Sequence, residues 1–253
     1  MPTLNIYFNS VYGRRELERL LQIQVPVVLS VTPKRFTEPE GVAKYPEWFA
    51  PLLKDFISIP EVIIAQRGFS HRCLHRHFSW IDQWHENGCP YKLSLDGELE
   101  RQKELMEKGR DEIIKYLGVA PKAYAPPNHI FNSVTLSLAA ELGYEFFMTR
   151  ATTQIGKHRH NSLIVFPESY IGEKGKSDNF YVHYDHIEGE ESKKFNKSER
   201  TAYETVLAQV IPLTEVKLSN PSLAVIISNE ARKMRYKYGR DLSNLARKLK
   251  VRS

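Results

Sequence analysis

Residues 61–71 read EVIIAQRGFSH. The first six form a short apolar run with the look of a β-strand. It stops at Arg67-Gly68, His71 follows, and a histidine-rich stretch, RCLHRHFSW, comes next. The turn has the form of a metal-binding turn in which one ligand has been exchanged for its electrostatic opposite. An imidazole holds a zinc ion; a guanidinium cannot.

Outward from this turn, other apolar runs also end in unusual residues. VPVVLSV (25–31) is continuous, as a buried parallel strand is, and leads into Thr32-Pro33. KAYAPP (122–127) runs into Asn128-His129. NFYVHY (179–184) carries His183, with Asp185 and His186 just beyond. LNIYF (4–8), EFFMT (145–149) and SLIVFP (162–167) are further strand candidates.

Helical patterns lie between the strands. GRRELERLLQ (13–22), PEWFAPLLKDFI (46–57) with Pro46 at its start, and NSVTLSLAAELG (132–143) with an Asn132 or Ser133 cap all have the apolar spacing of helices. SERTAYETVLAQV (198–210) is another. DGELERQKELMEKGRDEIIKYLG (96–118) is the clearest, rich in strong helix formers and closed by Gly118. Alternating strands and helices predict an α/β fold with a parallel sheet, and about seven strands suit a (β/α) barrel. In such barrels active residues lie where strands end, which is where the unusual residues stand.

Composition sets bounds. The chain has 253 residues, enough for a full core in one domain. No run is long enough to span a membrane, and the start lacks a basic segment followed by an apolar one, so a cytoplasmic protein is expected. The two cysteines, Cys73 and Cys89, are expected to be free thiols. The net charge of +6 is uneven: residues 231–253 hold nine Lys/Arg against one Asp, and the rest is near neutral. This tail, about 221–253, reads as a helix with an apolar stripe through Ala231, Met234, Tyr238, Leu242, Leu245 and Leu249. The stripe packs on the barrel or lies on a membrane surface. Nucleic acid is not an expected partner.

The strand-end motifs, in this order, resemble those of the polysaccharide deacetylase family, also called NodB-like or carbohydrate esterase family four. The resemblance covers about residues 24–215, within a single domain of 1–253. It implies a distorted (β/α) barrel that removes acetyl groups from N-acetylated sugars with a divalent metal, usually zinc. It also implies a place in surface-polysaccharide or O-antigen metabolism. The family's Thr-Phe-Asp-Asp motif falls on LSVTP, so Thr32 and Pro33 stand where the base and the metal-binding aspartate are. Its His-[Ser/Thr]-x-x-His motif falls on RGFSH: His71 matches the second metal histidine and Arg67 replaces the first. Its Arg-x-Pro-x-Gly motif falls on YAPPNHIFN, where Pro126 or Pro127 keeps the turn and Ala125 replaces the arginine. Its Leu-x-His motif falls on YVHYD, so His183 matches the general acid.

Metal-assisted amide hydrolysis needs three ligands, an open position, a base and an acid. Two ligands and the base are replaced here. The family site sets a metal of charge +2 against two carboxylates; this one has neither, and Arg67 adds +1. The expected site is therefore remodelled to hold an anionic or strongly hydrogen-bonding group of a sugar, with no cofactor; alternatively Arg67 only pairs with a nearby Asp or Glu. His183 is the candidate catalytic acid. Thr32, Arg67, His71, Pro126, Asn128, His129 and Trp80 are the candidate ligand-binding residues. The alternatives are a non-catalytic sugar-binding or scaffold module, and a rebuilt zinc site on His71 and His75, which share a face if helical. Trp80 and Trp84 either stack on sugar or pack into a small loop core. KHRHN (157–161) reads as a polar loop tip.

Overall fold

The computed structural model describes residues 2–8, 14–37, 44–70, 98–129, 131, 133–150, 158–160, 162–171, 179–183 and 195–215. Seven parallel strands close into a barrel. They are β1 (Thr3–Tyr7), β2 (Val28–Val31), β3 (Ile63–Gln66), β4 (Ala123–Tyr124), β5 (Phe146–Arg150), β7 (Leu163–Tyr170) and β8 (Asn179–His183). Neighbours pair in that order, β5 pairs with β7, and β8 returns to β1 with Tyr7 opposite His183. Among the described residues five helices accompany the strands: α1 (Arg15–Ile23), α2 (Phe49–Ile57), α3 (Glu98–Leu117), α4 (Ser133–Glu141) and, after the last strand, α5 (Lys197–Leu207).

The barrel begins earlier than the family resemblance does. β1 lies ahead of residue 24 and pairs with both β2 and β8. A second difference concerns KHRHN. Residues 158–160 form β6 (His158–His160), antiparallel to β7, rather than a loop tip. The third concerns Pro167. It looks like a strand end, yet β7 continues to Tyr170. Pro167 has no N–H to give, but its carbonyl accepts a bond from Asn179 Nδ2 at 3.0 Å, which ties β7 to β8.

Local chemistry explains the helix ends. Gly118 and Gly143 both have φ +80°, so each can leave its helix in the left-handed region. α5 starts on a reciprocal cap: Asn196 accepts from the Glu199 N–H, and Glu199 accepts from the Asn196 N–H.

The apolar core has two main layers. Leu4, Ile6, Leu29, Val31 and Ile64 pack outward against α1, α2 and α5 through Leu17, Leu20, Leu53, Phe56 and Tyr203. Tyr7, Val28, Ala65, Ala123, Met148, Phe166 and Tyr181 form a separate cluster. Strand periodicity assigns these to the opposite, inner face. The same period of two puts Asn5, Ser30, Thr32, Arg67, Glu168 and His183 on that inner face.

α3 is held close to the ends of β2 and β3. Gln66 donates to the Met106 carbonyl at 3.1 Å and accepts from the Tyr144 hydroxyl at 2.6 Å. Gly109 makes this approach possible: a Cβ there would lie 2.8 Å from Gln66 Cδ and 3.1 Å from Pro33 Cγ. Gly109→Ala should therefore destabilise the protein despite alanine's better helix propensity. Overpacking of this kind costs roughly 1–3 kcal/mol, and thermal melting should show a fall of several degrees.

Candidate functional site

The inner faces of six strands converge at the carboxyl ends of the barrel. Thr32 follows β2 and Arg67 follows β3, and the two segments stay paired: the Arg67 N–H donates to the Val31 carbonyl at 2.8 Å. Ala125 and Pro126 follow β4, and the Ala125 N–H donates to the Gln66 carbonyl at 2.8 Å. A short 3-10 turn, Pro127–His129, comes next. The His129 N–H donates to the Pro126 carbonyl at 2.9 Å, closing this turn.

Tyr7 is the hub. The Arg67 guanidinium lies 4.1 Å above its ring centroid. Its hydroxyl donates to Glu168 Oε2 at 2.6 Å. Its ring is 5.7 Å from His183, 5.8 Å from His129 and 5.3 Å from Tyr181. His129 and Tyr181 are 4.9 Å apart, and Tyr170 sits 5.6 Å from Tyr181 and 6.3 Å from His183. Arg67, His129 and His183 thus meet around one tyrosine.

The site has depth. Glu168 is 0% exposed, Tyr7 1% and Arg67 2%. His129, His183 and Tyr170 are only partly buried and form the outer layer. His129 has φ +59°, a left-handed conformation uncommon for a residue with a Cβ. Such strain gathers at functional sites, and here it belongs to the residue whose ring meets Tyr7 and Tyr181.

Thr32 is 0% exposed. Its N–H donates to the Tyr45 hydroxyl at 2.9 Å, and that hydroxyl donates to the Phe8 carbonyl at 3.2 Å. Thr32 Oγ1, Glu168 Oε1 and Asn5 Nδ2 are buried with no hydrogen-bond partner among the described residues. Ser30 Oγ donates to Asn5 Oδ1 at 2.7 Å, extending the polar strip down the barrel.

Burial controls the electrostatics. It pulls the Arg67 guanidinium down from its usual value, opposed by Tyr7, Tyr45, Tyr181 and Glu168. An arginine begins so high that it stays charged. Burial pushes the Glu168 carboxyl up to about 8, although the bond from Tyr7, the nearby Asn5 amide and the charge of Arg67 hold it down. Tyr7 is pushed well above its ordinary value, first by burial and then by Glu168. Near neutral pH the buried unit is a cation beside two mostly protonated acids.

The metal that the resemblance implies does not fit the residues in its place. By the resemblance Thr32, Pro33 and Arg67 fall at its base and ligand positions, and the Arg67 guanidinium brings a positive charge to these strand ends. Among the described residues no group of three or more His, Cys, Asp or Glu side chains could hold an ion. His71, His75 and Trp80 lie outside the described residues, as do the basic tail and its stripe; the Asn128 side chain is likewise not described.

Tyr7, Asn5, Glu168, Tyr170 and Tyr181 belong to the site and were not singled out from the sequence. A signal existed for Glu168: a carboxylate inside a strand that is otherwise almost wholly apolar, LIVFPESY.

No known sequence family and no curated protein matches the chain. Solved structures do. A de-N-acetylase from Aggregatibacter actinomycetemcomitans is 15% identical, with a TM-score of 0.51 over 79% of this chain and 74% of that one. A peptidoglycan N-acetylglucosamine deacetylase is 12% identical, with a TM-score of 0.50 over 87% and 89%. A 4-alpha-glucanotransferase from Thermococcus litoralis is 11% identical, with a TM-score of 0.53 over 85% of this chain and 38% of that one. At these identities the likeness is one of fold. With its closed parallel barrel and its structural neighbours among the deacetylases, this chain carries the NodB-like fold of the polysaccharide deacetylases.

Proposed function

We propose that the barrel mouth binds a sugar or glycan precursor of surface-glycan metabolism, with a buried guanidinium standing where the fold family keeps a metal. The observation that carries this is Arg67, 4.1 Å above Tyr7 and 2% exposed, at the strand end where the resemblance places a ligand histidine. One structural neighbour is described as a peptidoglycan N-acetylglucosamine deacetylase, and the same substrate class is carried over here.

The outer layer supplies contacts. Tyr170 offers an aromatic face for a sugar ring, with Tyr181 packed behind it, and His129 and His183 offer ring nitrogens for its hydroxyls. His183 is the group placed to deliver a proton if a bond is broken. Thr32 and Pro126 are buried beneath this layer, and Asn128, His71 and Trp80 are assigned to ligand binding on the sequence reading alone.

Arg67 makes an anionic sugar the preferred ligand. A unit charge acting over about 7 Å at an effective dielectric near 20 contributes roughly 2 kcal/mol, which is more than tenfold in affinity. The effect does not require solvent-exposed contact with the guanidinium. Calorimetry with methyl glucuronide and methyl glucoside tests it. The wild type should favour the acidic sugar by about tenfold or more, Arg67→Met should lose that preference, and Arg67→Lys should keep part of it. Equal affinities in the wild type would defeat this reading.

The depth of Arg67 favours a second reading, in which it serves only as the internal partner of Tyr7 and Glu168. In that case Arg67→Met changes stability and leaves sugar preference as it was.

A further inference from the structure

We propose that Arg35 holds an oxyanion, the phosphate or carboxylate group of a ligand, in a subsite on the rim of the barrel beside β2. The proposal does not depend on Arg67 or on the reading of the mouth.

Arg35 lies on the 3-10 turn Pro33–Phe36 that follows β2. The turn is fixed by its backbone and by its neighbours. The Arg35 N–H donates to the Thr32 carbonyl at 3.0 Å, and the Arg35 carbonyl accepts from the Tyr45 N–H at 2.7 Å. Phe36, the next residue, lies 5.0 Å from the Tyr45 ring and stacks 5.1 Å from Tyr116 of α3. The Arg35 side chain is partly buried, with its guanidinium 6.0 Å from the Tyr45 ring centroid, the outer limit of a cation–π contact. Nε and Nη1 are both buried and have no hydrogen-bond partner among the described residues.

Two donors of a permanent cation are thus desolvated without compensation. That is costly, and a bound ion is an ordinary remedy. The neighbours do not supply one. The Tyr45 hydroxyl already accepts from the Thr32 N–H and donates to the Phe8 carbonyl. Lys34, the adjacent cation, rests 5.9 Å over the Phe69 ring. Ion pairs among the described residues lie elsewhere, on Arg14, Arg19, Lys103, Lys108 and Lys122. Glu112 of α3 also keeps a buried oxygen, Oε2, without a partner, and makes no ion pair with Arg35. A planar guanidinium matches the paired oxygens of a carboxylate or phosphate. A neutral hydroxyl would bring no charge to offset the cation.

The test is thermal melting of the full chain near neutral pH in chloride, acetate and phosphate. The oxyanions are present at roughly 50 mM, with ionic strength held equal by chloride. In chloride alone Arg35→Met should melt a few degrees above the wild type, because methionine fills the space without an uncompensated charge. Phosphate or acetate should raise the wild type by a few degrees more than it raises Arg35→Met. General salt stabilisation acts on both proteins and cancels in that difference. Arg35→Lys keeps the charge and loses the fork, so it should keep only part of the response. The larger of the phosphate and acetate effects names the group the subsite takes. Equal responses in the wild type and Arg35→Met overturn the proposal, since the anion then binds elsewhere. So does a lower melting temperature for Arg35→Met in chloride, which would make the arginine an internal partner, for instance of Glu112.

Discussion

Between about pH 4.5 and about pH 8 the wild-type protein should lose several kcal/mol of stability that Glu168→Gln retains. Glu168 is a carboxyl whose folded value lies above its unfolded one. The folded state therefore holds this proton more tightly than the unfolded state does. The contribution is fully present below about 4.5 and is lost as pH rises through about 8. Each unit of difference is worth about 1.4 kcal/mol, so the upper bound is on the order of 5 kcal/mol. Glutamine is isosteric and still accepts the Tyr7 hydroxyl bond, so the two proteins should match in acid and diverge toward alkaline pH. Denaturant unfolding at several pH values gives the comparison. Parallel curves would mean that Glu168 is ionised throughout and that Arg67 compensates it fully.

Arg67→Ala and Arg67→Met should differ sharply in stability. Alanine removes the cation, exposes the Tyr7 face to a void and strips Glu168 of its opposing charge. With Glu168 protonated near neutral pH no charge is left unpaired, so the loss comes from the cavity, and large-to-small changes in a core cost roughly 2–5 kcal/mol. Methionine fills most of the same space without charge. Because protonated Glu168 is left without an unpaired charge and the space stays largely filled, Arg67→Met should stay within about 2 kcal/mol of the wild type. Without the guanidinium, Glu168 should also titrate at higher pH. Equal losses for alanine and methionine would show that the charge itself, and not the volume, stabilises the barrel mouth.

Much of the barrel was legible in the sequence. Seven apolar runs became its seven strands because parallel barrel strands are buried on both faces and read as continuous hydrophobic stretches. Gly118 and Gly143 marked helix ends because only glycine takes φ +80° at little cost. The order of Thr32, Arg67, Pro126 and His183 along the chain pointed to one end of the barrel, since each follows or closes a strand.

What escaped was long-range. The pairing of Tyr7 with His183 comes from sheet closure, across most of the chain, and leaves no local trace. Because the resemblance began at about residue 24, β1 and its Asn5 and Tyr7 fell outside the expected site. Pro167 looked like the end of a strand and hid Glu168 one residue later. Polar character made HRH look like loop, whereas an edge partner to β7 needs only backbone groups, which any residue supplies.

The central claim is that a guanidinium has taken the place of a metal. Zinc stoichiometry tests it most directly: the purified protein is exposed to excess zinc, washed free of loose ion and assayed for metal per chain. Far less than one ion per chain is the expected result, because Arg67 repels a cation and Thr32 and Pro33 do not supply the missing carboxylates. One tightly held zinc per chain, lost on His71→Ala or His75→Ala, would contradict the account and establish a rebuilt histidine site instead.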